Sequence, residues 1–249
     1  MTAPTPKHPA RFSDPIMPVL AKFVEPGWTV VDRFAGTGRV HELRDLVPGV
    51  HTFAVEIEFE WAAMHPSTWC GDAFEMTGEN RYDAEVTSVT YGNRFADSHN
   101  AQERCRACKG TGWIPIASGA PAEPCEKCEG TGTRNHHRRS YTHNLGRPLT
   151  RGSSGSMHWG QDYRAFHTKW LESSFTLVRR RLVLNVSDHI RDKKRQPVVR
   201  WFRNTAREVG FTLVAERSIE TKRLRDGANR ESRVKYEKVL VFDKEATDG

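Results

Sequence analysis

The absences narrow the class of this chain first. None of the apolar runs among its 249 residues approaches the roughly 18 needed to cross a bilayer, which argues against a membrane-spanning protein. The opening stretch MTAPTPKHPARF has no apolar h-region and does not read as a secretory signal, so the expected compartment is the cytosol. Cysteine is scarce: of five, four fall in two CxxC pairs and Cys70 stands alone. Without an export signal, such pairs read as metal ligands before disulfides. Internal repetition is confined to CRACKGTG (105–112) and CEKCEGTG (125–132), too local for a solenoid.

What is present is an ordinary folding composition. With 37% hydrophobic and 28% charged residues the chain has enough apolar surface for a sizeable core, which excludes a disordered class. The net charge of +7 is unevenly spread. Arginine and histidine crowd 134–147 without an acid, Lys and Arg crowd 179–195, and a third basic region runs from Arg217 to Lys238. Clustered cations suggest a polyanionic partner, since neutralising phosphates releases counterions; solvated faces are the plainer alternative.

The apolar pattern alternates between strand and helix. WTVVDRF (28–34), HTFAVEIE (51–58), WCGDAF (69–74), YDAEVTSVTYG (82–92) and RLVLNVS (181–187) read as strands, with FTLVAERSI (211–219) and RVKYEKVLVF (233–242) closing the chain. Helices are expected near 14–24, 40–47, after 58, over 162–178 and over 198–209. This is an α/β pattern with a mostly parallel sheet. Between 98 and 160 the alternation stops, which calls for a staple or a function of its own.

Two motifs carry chemistry. In VVDRFAGTGRV, Gly36 and Gly38 permit a tight turn and close approach of a ligand to backbone amides. Glu56, at the end of the second strand, is placed to hold ribose hydroxyls, and Asp72, after the third, to accept from an adenine amino group. The GxGxxG spacing of dinucleotide enzymes is not met, because His41 follows. The second motif is Cys105-x2-Cys108 and Cys125-x2-Cys128, two thiolate knuckles that can close a tetrahedral structural zinc site.

On these residues the chain resembles the amino-directed (N6-adenine/N4-cytosine) DNA methyltransferases, phage-type. Asp32-Arg33-Phe34-Ala35-Gly36-Thr37-Gly38 is similar to their D-x-F-x-G-x-G motif, and HPARFSDPIMPVL (8–20) to the segment preceding it in one permutation class. Thr87-Ser88-Val89-Thr90-Tyr91-Gly92-Asn93-Arg94 resembles their TSPPYGNR form, with both prolines replaced. The CxxCxGxG pair resembles half of the cysteine-rich module of J-protein chaperones.

The resemblance implies a Rossmann-like S-adenosylmethionine-dependent sheet with an antiparallel last strand and an inserted small zinc ribbon. It implies a division into 1–100 (cofactor half), 101–135 (zinc insertion) and 136–249 (second half with a basic DNA-facing loop). The expected cofactors are S-adenosylmethionine and one structural zinc. Cofactor contacts would come from Phe12, Ser13, Asp32, Phe34, Ala35, Gly36, Thr37, Gly38, Glu56, Asp72 and Ala73. Ser88 Oγ and the Val89 carbonyl would accept hydrogen bonds from an exocyclic amine, within a loop completed by Thr90, and Tyr91 would stack on the extruded base. Arg94, Arg134, Arg138, Arg139, Arg147, Arg223 and Arg225 are the candidate nucleic-acid contacts. Carbon-5 chemistry is disfavoured, since no Pro-Cys loop lies near the fourth strand. The expected partner is double-stranded DNA, with no membrane role, in the cytoplasm of a bacterial host cell and compatible with a phage gene. An RNA base methyltransferase, or a retired methyltransferase that binds DNA without turnover, remains open.

Overall fold

The structure is a computed structural model; it describes residue 8 and residues 12–93, 102–116, 121–135, 140–191, 194–220 and 234–245. Among these residues one seven-stranded sheet dominates. Its strands are β1 (Thr29–Asp32), β2 (His51–Glu56), β3 (Thr68–Cys70), β4 (Tyr82–Ser88), β9 (Val178–Val186), β12 (Thr212–Glu220) and β13 (Tyr236–Asp243). Their order is β12-β13-β9-β4-β1-β2-β3. The pairs β1–β2, β1–β4, β2–β3 and β4–β9 are parallel, whereas β13 runs antiparallel to both β9 and β12. This is the expected α/β sheet: mostly parallel, doubly wound and Rossmann-like, with an antiparallel last strand. The chain steps outward from β1 to β3, then returns to β4, so the order reverses between β1 and β4. In open α/β sheets ligands bind outside the carboxyl ends of the strands at such a switch point.

The strands form where apolar runs are continuous, because both sheet faces are covered. Val30, Ala84, Val86 and Val183 are fully buried in one cluster with Ile16, Leu20, Val40 and Leu43. Leu182, Leu184, Val186, Trp170, Phe202 and Phe242 build the other. The first face is covered by short pieces, α1 (Met17–Ala21) and α2 (Leu43–Leu46), the latter entered through a single 3-10 turn at Arg39–Glu42. The second face carries α5 (Gln161–Leu177) and α6 (Val198–Val209), which end near the positions expected. The helix expected after residue 58 is α3 (Phe59–Ala62), one turn long, and residues 71–81 form no helix.

The interrupted region, 98–160, holds its own elements. Strand β5 (Gln102–Arg104) pairs with β8 (Thr133–Asn135), and β6 (Trp113–Ile114) with β7 (Glu123–Pro124). A short helix α4 (Tyr141–Leu145) follows, capped by the Ser140 hydroxyl. Between β9 and α6, β10 (His189–Arg191) and β11 (Lys194–Gln196) make an antiparallel ribbon that the sequence pattern did not suggest. No helix among the described residues is long and apolar enough to cross a membrane.

Candidate functional site

A cleft spanning about 750 Å³, part of it open to solvent, lies at the switch point. Its floor comes from the carboxyl ends of four strands: Phe34–Thr37 after β1, Glu56 and Ile57 at β2, Asp72 and Ala73 after β3, Ser88 and Thr90 at β4. Phe12 closes one side, and Phe166 of α5 another.

The loop after β1 is held by its neighbours. Ala35 N–H donates to the Val55 carbonyl at 3.0 Å, and Gly36 N–H to Glu56 Oε2 at 2.8 Å. Gly36 has φ +54°, and a Cβ there would sit 3.1 Å from the His8 ring, so the left-handed turn and the crowding both select glycine. Gly38 answers a different need. With φ +78°, its missing Cβ would lie 2.7 Å from His65 Cβ and 2.8 Å from Thr68 Oγ1. Its close approach is to protein, and it lines no part of the cleft.

Glu56 is nearly buried, with its second oxygen accepting from Glu58 N–H at 2.9 Å. Burial pushes its carboxyl up to about 8, against the opposing pull of the two N–H donors. Asp72 Oδ1 accepts from Phe74 N–H at 2.9 Å, while Oδ2 lies toward Gly152 on the opposite wall. Asp32, expected to touch the cofactor, stands behind the lining. It is fully buried, and its Oδ1 accepts from Phe34 N–H at 3.0 Å and from the Thr87 hydroxyl at 2.6 Å. Burial raises its carboxyl to about 7 despite those bonds. Ser13 is likewise outside the lining, its Oγ buried with no partner among the described residues.

The loop after β4 divides its four residues. Ser88 and Thr90 face the cleft. Val89 is buried in the apolar cluster under α5 and α6, and Tyr91 packs half-buried against the same cluster. Tyr91 is therefore not among the residues lining the cleft, and its hydroxyl lies 3.3 Å from Asn185 Nδ2. The expectation of an aromatic face offered to a base is not met by this arrangement. The Thr90 carbonyl accepts from the Tyr163 hydroxyl, and Thr90 Oγ1 donates to the Ser154 carbonyl at 3.3 Å.

Residues 140–156 read as irregular and DNA-facing from sequence; in the structure they form a wall of the cleft. Tyr141, Gly152, Ser153, Ser154 and Gly155 line it. Glu58, fully buried, pins this strap by accepting from Thr150 N–H at 2.9 Å and Thr150 Oγ1 at 3.0 Å. Arg147, expected to meet nucleic acid, pairs instead with Glu58 at 2.9 Å and donates from Nε to Glu60 at 2.8 Å. Its charge is satisfied within the chain. The same holds for part of the 179–195 cluster: Arg180 pairs with Asp83 at 3.3 Å, Arg181 with Asp243 at 2.6 Å, and Arg195 with Asp188 at 2.7 Å. Arg94, Arg138, Arg139, Arg223 and Arg225, and the Arg134 side chain, lie outside the described residues.

Sequence reasoning missed three groups that support the cleft. Arg33, inside the D-x-F motif, is fully buried and bridges Glu85 on β4 to the Ala73 carbonyl and the Ser173 and Ser174 hydroxyls of α5. Glu58 and Asn185 are the others. The available signal was polarity inside apolar surroundings: Arg33 within VVDRF and Asn185 within RLVLNV.

The second centre is the four-cysteine module. Its thiol sulfurs all lie within 4.8 Å of one another, with Cys105–Cys125 at 3.9 Å and Cys108–Cys128 at 3.7 Å. Four thiolates about 2.3 Å from one zinc ion stand roughly 3.8 Å apart, so this set fits the ion. The halves are related as a pseudo-twofold pair. Cys105 N–H donates to the Gly132 carbonyl at 2.8 Å, and Cys125 N–H to that of Gly112 at 2.7 Å. Thr111 and Thr131 hydroxyls reach the Cys108 and Cys128 carbonyls at 2.7 and 2.6 Å. A Cβ on Gly112 would fall 2.2 Å from the Gly130 carbonyl oxygen, so the two knuckles meet backbone to backbone.

No protein-family model matches the chain, and no curated protein matches it in sequence. Some solved structures show a partial likeness at low identity. A provisionally assigned RNA methyltransferase from Pyrococcus horikoshii is 12% identical at TM-score 0.47, with 92% of this chain and 79% of that one covered. A SAM-dependent methyltransferase from Aquifex aeolicus is 14% identical at 0.43, covering 93% and 89%. Magnesium protoporphyrin IX methyltransferase from Synechocystis, solved with bound SAM, is 12% identical at 0.46, covering 91% and 76%.

Proposed function

We propose that this chain is an S-adenosylmethionine-dependent methyltransferase acting on an exocyclic amine of a DNA base, adenine N6 or cytosine N4. One observation carries the reading: Ser88, at the carboxyl end of β4, faces the same cleft as the Gly36 turn, Glu56 and Asp72. Acceptors for a ribose, an acceptor for an amino group and a hydroxyl for a second substrate thus meet in one volume.

The donor set suits the cofactor. Glu56 keeps lone pairs beyond the two N–H groups it accepts and would take the ribose hydroxyls, Asp72 the adenine amino group. Phe34, backed by Trp170 at 5.5 Å, would supply an apolar surface. When bound, the cofactor supplies an electrophilic methyl group. The protein's task is then to make the amine a nucleophile. Its lone pair is delocalised into the ring, and acceptors on its hydrogens favour the pyramidal form that can attack. Ser88 Oγ would be one acceptor and the Val89 carbonyl the second, with Thr90 held by Tyr163 and Ser154 to fix the loop. Positioning supplies much of the acceleration in such a transfer. The four-cysteine module, carrying one structural zinc, would extend the surface that meets DNA.

The test is incubation of the purified protein with labelled cofactor and duplex DNA, single-stranded DNA or RNA, followed by mass spectrometry of the nucleosides. Methylated adenine or cytosine from DNA is the expected product. Label in RNA alone would replace DNA by RNA as substrate, and DNA binding without label in any arm would favour the retired enzyme.

A further inference from the structure

Within the buried run LVLNV of β9 the one polar residue is Asn185, and it is 1% exposed. The parallel register sets it beside Ser88. Its Nδ2 lies 3.2 Å from Ser88 Oγ, 3.3 Å from the Tyr91 hydroxyl and 3.1 Å from Glu237 Oε2 on β13. Glu237 is itself nearly buried. Asn185 Oδ1 has no partner among the described residues. Burying an amide with one end unsatisfied is costly, and such sites persist where the polar group does something specific.

The amide's orientation follows from its neighbours. Asn185 donates to Glu237 Oε2, so the NH2 end faces Glu237. One amide hydrogen then goes to Glu237, and the other lies between Ser88 Oγ and the Tyr91 hydroxyl. A donor approaching Ser88 Oγ from the β9 side occupies one lone pair and fixes the rotamer. The other lone pair is left for the cleft. Ser88 alone, on a loop that lacks the family's two prolines, would be free to rotate.

We propose that Asn185, oriented by Glu237, is a positioning residue that aims the acceptor lone pair of Ser88 at the amine to be methylated; this rests on the reading of the cleft as a methyl-transfer site. It acts through Ser88 and touches no substrate.

The experiment compares two probes by calorimetry. Sinefungin carries an amine where the cofactor carries its methyl group, and S-adenosylhomocysteine carries nothing there. Their affinity ratio reads the acceptor that Ser88 presents, without turnover. Wild type should prefer sinefungin, and Ser88→Ala should lower that preference about tenfold, the size of one charge-assisted hydrogen bond. Asn185→Leu should lower it similarly while leaving S-adenosylhomocysteine affinity unchanged. The double variant should lose no more than either single one, because the two residues act as a unit. Asn185→Ala removes the donor without adding bulk or charge; it should show the same loss, and it serves if the leucine variant does not fold. A ratio unmoved in either Asn185 variant, or an additive loss in the double variant, overturns the proposal alone. Equal affinity of wild type for both probes also overturns it. Wild type that binds neither probe overturns the cofactor reading, and the proposal with it.

Discussion

Arg33 and Glu85 form a two-pronged ion pair with no exposure on either side, Nε to Oε1 and Nη2 to Oε2 both at 3.0 Å. The pair joins β1 to β4 directly beneath the cleft, and the Trp170 indole N–H donates to the same carboxylate at 3.0 Å. Removing one partner of such a pair leaves an uncompensated buried charge, at a cost of about 3–5 kcal/mol. Glu85→Ala should therefore lower unfolding stability in urea by that order, while Arg33→Met with Glu85→Leu should cost less than Glu85→Ala alone. Equal losses from the single and double variants would count against the pair.

The purified protein should carry about one zinc per chain. Cys108→Ser should reduce the metal content, and so should Gly112→Ala, because its Cβ would strike the Gly130 carbonyl and its φ of +83° disfavours alanine. Both changes should spare cofactor affinity, since neither residue lines the cleft. Elemental analysis with cofactor titration checks this. Metal-free wild type of unchanged stability would refute a structural zinc.

The sheet was legible because its signal is local: runs such as WTVVDRF and RLVLNVS are apolar over the length of a strand. The paired cysteines were legible for the same reason, their spacing being short. The polar framework was not. Glu58 meets Thr150 across 92 residues and Arg33 meets Glu85 across 52, separations at which no periodicity operates. Arg147 illustrates the consequence. By composition it belongs to a basic cluster, yet its partners Glu58 and Glu60 lie on another part of the chain. Gly38 shows the same limit in miniature, since the motif names the glycine but not the His65 side chain that requires it.

Glu56 predicts a pH dependence of definite sign. Its folded-state value of about 8 exceeds its ordinary 4.5, so through that window the folded chain holds a proton the unfolded chain has lost. The contribution of Glu56 to the stability of the ligand-free protein therefore falls as pH rises from about 4.5 to 8. Asp32 contributes in the same direction between its ordinary 3.8 and about 7. The thermal midpoint of Glu56→Gln should rise relative to that of wild type as pH increases across this range. The same variant should weaken S-adenosylmethionine binding at pH 8. A parallel pH profile for the two proteins would mean that Glu56 is already ionised when the cleft is empty.

The loop after β4 keeps its shape without prolines. Val89 is 2% exposed, anchored in the core by its side chain. Thr90 is held twice, by the Tyr163 hydroxyl at its carbonyl and by its own hydroxyl on Ser154. Proline would fix such a segment through its ring, lowering the freedom of the unfolded chain. Here the restraint comes from α5 and the strap, so it depends on their being in place. Tyr163→Phe removes only an oxygen but leaves the Thr90 carbonyl without that donor, at a cost of about 1–3 kcal/mol. If half of that cost falls on the loop's reactive geometry, single-turnover transfer slows by roughly twofold to thirteenfold. Cofactor affinity should stay unchanged, since Tyr163 lines no part of the cleft. Val89→Pro should be worse than Tyr163→Phe, because it empties a core position as well. A Tyr163→Phe enzyme as fast as wild type would show that Val89 burial alone holds the loop.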